Sequence, residues 1–334
     1  MNLNEYVPKG IDLDLLTQSD FPRIAKNKEL MKKIISSVKR IPTRQLVVHG
    51  DSRYLTLNKN QAQVHLVVTS PPYWTLKKYD PIPGQLGVIE DYEKFLEELD
   101  RVWKRCYDVL VPGGRMAIVV GDVCLPRRKY DRHMLIPLHS SIQEHCRKIG
   151  FDNLAPIIWY KIANISFEVK GNGRYLGKPY EPNGIVKNDV EYILFLRKPG
   201  SYRKPTVAQR VLSLLPENEQ REFFQQIWTT ITGASTRRHP APFPTALAER
   251  LVRMFSFVGD TILDPFMGTG TTLYAAGSWG RNGMGFDIDC KYAKMALTRL
   301  KEDIRFTNVD YIEDNRTEEA FLKIPSTWCS TEII

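Results

Sequence analysis

No part of this chain stays apolar and uncharged for the roughly 18 to 20 residues that a membrane-spanning helix requires, so a helical bilayer protein is excluded. The opening MNLNEYVPKGIDLDLL lacks the basic-then-apolar order of a secretory signal, and the chain is expected to remain cytoplasmic. Cysteine is scarce: Cys106, Cys124, Cys146, Cys290 and Cys329 lie far apart with no Cys-x-x-Cys pair, which supports neither a disulfide framework nor a zinc knuckle. Histidine does not fill the gap. His139, His145 and Cys146 come nearest to a cluster but lack ligand spacing, and no metal is expected. Acidic residues are the minority, 38 against 47 Lys and Arg, leaving a net charge of +9. That excess is the electrostatic footprint of a polyanionic partner, although charge alone does not establish one.

What is present is a globular composition over 334 residues, 43% hydrophobic and 25% charged, enough for one large core or two smaller ones. Residues 22–40 place apolar side chains at helical spacing between lysines and read as an amphipathic helix. Short apolar runs follow: QLVVHGD, VHLVVTS, GRMAIVVGD, APIIWYK, VEYILFLRK, TILD and GMGFD. Helical patterns separate most of them, starting near Asp91, His133, Pro244 and Lys291. Seven strands alternating with helices indicate an α/β fold on a mostly parallel sheet, and their non-alternating apolar character fits strands covered on both faces. The pattern lapses over 166–189, a loop rich in Gly, Pro and Asn, and again over the basic stretch 200–238, where one helix is expected from about Glu219 to Trp228. Lys and Arg gather at 101–105, 127–132, 197–204 and 237–238; each cluster taken singly also reads as a solvated face.

Two motifs carry chemistry. Thr69-Ser70-Pro71-Pro72-Tyr73-Trp74 closes the VHLVV run, where open α/β sheets bind ligands. A bare Pro-Pro-Tyr also reads as a simple turn, but consecutive prolines fix a rim that offers carbonyl oxygens without amide hydrogens. Such a rim accepts hydrogen bonds from an amino group, Ser70 adds a hydroxyl, and Tyr73 and Trp74 offer faces for stacking a base. Asp264-Pro265-Phe266-Met267-Gly268-Thr269-Gly270-Thr271-Thr272 follows TILD and leads into a helix. A glycine-rich strand-to-helix turn lets backbone approach a ligand. No lysine follows the glycines, which excludes a Walker loop, whereas a dinucleotide fingerprint stays open because Asp287 ends the next strand, near where a ribose-binding acid is expected.

Together the two motifs resemble the S-adenosylmethionine-dependent DNA amino-methyltransferases. The Ser-Pro-Pro-Tyr motif precedes the glycine motif, which is similar to the circularly permuted, β-class order, and the resemblance runs from about Gln45 to about Leu300. It implies a Rossmann-like methyltransferase fold, a seven-stranded mostly parallel sheet with one antiparallel strand. It divides the chain into a helical appendage (1–44), a catalytic half (45–199), a target-recognition insertion (200–238), a cofactor-binding half (239–304) and a tail (305–334) that matches nothing in the family pattern. Ser70, Pro71, Pro72 and Tyr73 would be catalytic. Asp51, Phe243, Asp264, Pro265, Phe266, Gly268, Gly270, Thr271 and Asp287 would hold S-adenosyl-L-methionine, with Asp51 near its adenine and Asp287 at its ribose. The implied partner is duplex DNA, acted on by a monomer or homodimer, and the chain type allows a cognate restriction endonuclease without a stable complex. Serine at the motif's first position is similar to enzymes that methylate cytosine N4; adenine N6 is the alternative. A non-catalytic nucleic-acid-binding protein on this fold, or a nicotinamide dehydrogenase, would use fewer of these residues.

Overall fold

All seven expected strands form and enter one sheet. The computed structural model describes residues 2–58, 64–77, 79–125, 130–132, 134–161, 188–233, 244–317, 320–325 and 328. In chain order the strands are β1 (Arg44–Gly50), β2 (Val64–Thr69), β3 (Leu110–Val120), β4 (Val123–Leu125), β5 (Met134–Ile136), β6 (Asp152–Tyr160), β7 (Val190–Arg197), β8 (Ile227–Trp228), β9 (Thr261–Asp264), β10 (Asn282–Asp287) and β11 (Asn308–Asp314). The described α-helices are α1 (Asp20–Lys26), α2 (Lys28–Val38), α3 (Tyr92–Val109), α4 (Leu138–Ile149), α5 (Val207–Leu212), α6 (Glu217–Phe223), α7 (Thr245–Phe255), α8 (Thr271–Ser278) and α9 (Cys290–Lys301).

The sheet order is β11-β1-β10-β9-β2-β3-β7-β6-β8, and only β7 runs antiparallel to its neighbours. The single antiparallel strand was expected; the strand count was not. Nine strands join the sheet, because β8 pairs with β6 and β11 with β1 at the two edges. In β8 the expected helix gives way: α6 stops at Phe223, whose carbonyl accepts from Trp228 Nε1 at 3.0 Å, and Ile158 N reaches the Gln226 carbonyl. In β11, NVDYIED is exposed at Asn308 and Glu313 and half-buried elsewhere, and it has no apolar run to announce it. Nor is 22–40 one helix. Asn27 ends α1, and its side chain then accepts from Glu29 N and Leu30 N to cap α2.

Burial explains the layering. On β2, Val67 joins the core under α3 and α4, with Phe95, Leu99, Trp103 and Ile142. Its neighbours Leu66 and Val68 face the other way, toward Leu247 and Leu251 of α7 and Ala275 and Ala276 of α8. Both faces of the central strands are therefore dry, as their continuous apolar sequence requires. The long α3 begins at Asp91, whose carboxylate accepts from Lys94 N at 2.7 Å, and buries one stripe from Phe95 to Cys106. Among the described residues, no helix is long and apolar enough to cross a membrane.

Candidate active site

The sheet order fixes where chemistry can occur. β1, β10, β9 and β2 are adjacent and parallel, so their carboxyl ends lie side by side. Those ends deliver Asp51, Asp287, Asp264 and Ser70 along one edge, spanning ~14 Å at the usual strand spacing. That is the crevice in which open α/β sheets bind ligands.

At the end of β2 the chain turns through Ser70 to Trp74, with Pro71 and Pro72 buried. The Ser70 hydroxyl donates to the Tyr73 phenol oxygen at 3.2 Å, and Tyr73 donates to the Val119 carbonyl at 3.3 Å. With its one proton so directed, Ser70 Oγ keeps lone pairs for an external donor. Tyr73 is 7% exposed, and burial pushes its phenol well above the usual range, so it stays neutral. Trp74 takes a left-handed backbone at φ 47°, rare for a bulky side chain, and sets its indole edge-on to Tyr92 at 5.1 Å.

At the end of β9, Asp264 is fully buried and makes three hydrogen bonds. Thr69 Oγ1 and Thr272 Oγ1 each donate at 2.7 Å, and Phe266 N donates at 3.1 Å. Burial raises its pKa to about 6 against the pull of those donors. This carboxylate ties the strand before Ser70 to the helix after the glycines. Neither Thr69 nor Thr272 stood out as a site residue, because hydroxyls inside an apolar strand or a Gly-Thr-Thr turn advertise no partner. Gly268 (φ 53°) and Gly270 (φ 76°) reverse the chain, and a Cβ on Gly270 would lie 2.9 Å from Ala296 Cβ of α9. Thr271 is buried and does not line the cleft; its Oγ1 accepts from Arg299 Nη1 at 3.1 Å.

Asp287, at the end of β10, accepts from Gly268 N at 2.8 Å and Asp289 N at 2.9 Å. Burial raises its pKa to about 7, helped by the charges of Asp289 and Asp264 and opposed by those two amides. Asp51, Ser70, Pro72, Pro265, Phe266 and Asp287 line one cleft, joined by Ile288 and by Tyr79, Gly84 and Leu86 of a loop that sequence reading had not singled out. Both Asp51 oxygens are engaged by Arg53, which also pairs with Glu98. Phe243 lies outside the described residues. A larger cavity of about 630 Å³ opens elsewhere, lined by His65, Arg115, Arg203 and Phe255. It lies at the amino ends of the strands and includes no residue of either motif.

A family model described as DNA methylase matches residues 64–298, a span that contains both turns. The chain belongs to the N6/N4 DNA methylase family. Its activity is methylation of DNA. The type II methyltransferase M.MjaI of Methanocaldococcus jannaschii is 37% identical to this methylase over 278 residues, 75% of this chain and 88% of that protein. The DNA adenine methyltransferase YhdJ of Escherichia coli strain K12 is 28% identical over 277 residues, 78% of this chain and 85% of that one. Among solved structures, TTHA0409 of Thermus thermophilus, complexed with S-adenosyl-L-methionine, is 49% identical, covering 83% of this chain and 100% of that chain at a TM-score of 0.66.

The Asp264 clamp makes a direct demand on stability. Thr272→Val keeps the side-chain shape but removes one donor from a buried carboxylate, and is expected to cost about 1–3 kcal/mol in urea unfolding. An unchanged midpoint would show that Asp264 is satisfied without it.

Proposed function

We propose that this methylase transfers a methyl group to the exocyclic N4 amine of a cytosine flipped out of duplex DNA. The donor is S-adenosyl-L-methionine. The cleft suits that molecule: Asp287 offers a carboxylate to ribose hydroxyls, Phe266 and Ile288 offer apolar surface to adenine, and the turns at Gly268 and Gly270 let backbone approach. Asp51 acts with Arg53 as one wall of the cleft, and Phe243 would serve the methionine end. The order of the two motifs in the chain supports the permuted, β-class arrangement.

The reaction needs no covalent intermediate. The amine's lone pair is delocalised into the base ring, and hydrogen bonds from its two hydrogens to Ser70 Oγ and the Pro71 carbonyl favour the pyramidal, nucleophilic form as charge develops. Nitrogen then attacks the sulfonium methyl in line, with Tyr73 stacked on the base. In a stacked duplex the amine is out of reach, hence the flipping. Target reading falls to the stretches that leave the sheet beside this turn. β6 and β8 are parallel, so both strands end, at Tyr160 and Trp228, on the carboxyl edge. Target reading of a short sequence is assigned to the 200–238 insertion, aided by the 166–189 loop; of its described residues only those after Trp228 leave from the carboxyl edge, whereas α5 and α6 pack at the amino edge. The enzyme would work in the cytoplasm as a monomer or homodimer, protecting sites from a cognate endonuclease with which it forms no stable complex.

The observation that carries the base assignment is the Ser70 hydroxyl, held as a neutral acceptor by its bond to Tyr73. The adenine-specific relative YhdJ favours the second reading, adenine N6, which keeps every other role. Incubation with unmodified duplex DNA and S-adenosyl-L-methionine, digestion to nucleosides and mass spectrometry decides between them. N4-methylcytosine is expected; N6-methyladenine overturns the base assignment alone, and an unmodified digest overturns the reaction.

Asp287 supplies a pH test. Ribose hydroxyls bind the carboxylate, whereas the free group titrates at about 7. Cofactor affinity is therefore expected to rise as pH increases from about 6 to about 8, with proton release on binding. Calorimetry should show Asp287→Asn binding more weakly and with a flat pH profile; a variant that keeps the wild-type slope removes Asp287 from the site.

A further inference from the structure

Methylating an amine leaves a proton to be placed, and the Ser-Pro-Pro-Tyr turn has no group that can keep it. Nitrogen's lone pair forms the new N–C bond, the S–C bond breaks with its electrons passing to sulfur, and the product nitrogen carries a positive charge until it releases one hydrogen. Serine and tyrosine hydroxyls conduct a proton but do not hold it near neutral pH. The nearby Asp264 is committed to Thr69, Thr272 and Phe266.

Glu191 stands on the other side of Tyr73. It is 8% exposed, at the amino end of β7, which lies at the same sheet edge as Ser70 because β7 alone runs antiparallel. Glu191 and Tyr73 meet across Gly121: a Cβ there would lie 3.1 Å from Glu191 Cγ and 3.3 Å from Tyr73 Cε2. The Tyr73 phenol donates to the Val119 carbonyl, and the nearby Glu191 carboxylate adds to the burial that keeps the phenol protonated. Lys161, from the end of β6, forms an ion pair with Glu191 Oε1 and lies over the Trp159 ring. Gly121, from the β3 end, adds no charge. On β7 itself Tyr192 is stacked on His139, which is hydrogen-bonded to Asp122.

We propose that Glu191 accepts the proton released by the methylated amine, relayed through the Ser70 and Tyr73 hydroxyls, with Lys161 balancing its charge. The amine gives its proton to Ser70 Oγ as Ser70 passes its own to Tyr73, and the Tyr73 hydroxyl turns from the Val119 carbonyl to pass its own to Glu191. Each hydroxyl regains a proton, and the net transfer is from nitrogen to carboxylate. Lys161, whose side chain is 26% exposed, marks the route by which Glu191 returns the proton to water. Glu191 is a positioning residue in this scheme, since it acts through Tyr73. The proposal rests on the amine-methylation reading above and is indifferent to which base carries the amine.

The test is single-turnover methyl transfer from radiolabelled S-adenosyl-L-methionine, at saturating cofactor, to PCR-amplified duplex DNA across a range of pH. Full-length wild type, Glu191→Gln, Tyr73→Phe and the double variant are compared. Glu191→Gln is expected to slow transfer about a hundredfold. It should also lose the wild type's decline toward acid pH while binding cofactor normally. Tyr73→Phe, which leaves the Lys161–Glu191 pair intact and so serves if Glu191→Gln fails to fold, should lose the same acid limb. The double variant should be no slower than the slower single. Wild-type rate and acid limb in either single variant, or losses that multiply in the double, overturn the relay alone. A wild type that transfers no methyl group to DNA overturns the underlying function and the relay with it.

Discussion

The buried Asp264 carboxylate is the constraint on which the site depends. It accepts from Thr69 on β2 and from Thr272 at the start of α8, two positions far apart in the chain. Burying a carboxylate is costly, as its elevated pKa records, and the three donors offset that cost only while both turns keep their places. The Ser70 turn and the glycine turn are thereby locked into one frame. In-line transfer needs such a frame, because a displacement of about 1 Å at the reacting centre can cost about a hundredfold in rate.

Much of this was legible in the sequence, for a physical reason. Strands buried on both faces write short apolar runs, so β1, β2, β3, β6, β7, β9 and β10 could be placed from those runs. The Ser70–Trp74 turn, which alone also reads as a simple bend, stood out because the glycine motif accompanies it in the same chain. The edge strand β11 stayed hidden, since its few apolar side chains, Val309, Tyr311 and Ile312, are separated or flanked by Asp310, Glu313 and Asp314 and make no continuous run. Asn27 broke an apparently continuous helix because a capping side chain outweighs periodicity at one residue. Thr69, Thr272 and Glu191 were invisible for a related reason: their roles depend on partners from distant segments, which only the folded sheet brings together.

Charge tells a similar story. The net charge of +9 anticipated a polyanion, yet several of the basic residues it was read from are used within the fold. Arg101 pairs with Glu98, Arg197 with Asp152 and Arg203 with Asp260, while Lys198 donates to the Tyr107 and Leu110 carbonyls. The Arg127, Arg128, Lys129, Arg237 and Arg238 clusters lie outside the described residues.

Native-state hydrogen exchange tests the single-frame account most directly. The Phe266, Met267 and Gly268 amides report the glycine turn, and the Leu76 amide, bonded to the Tyr73 carbonyl, reports the Ser70 turn. If Asp264 joins the turns into one unit, these amides open with a common free energy, and adding S-adenosyl-L-methionine raises it equally in both. Protection gained in the glycine turn alone, with Leu76 exchanging as before, would contradict the account.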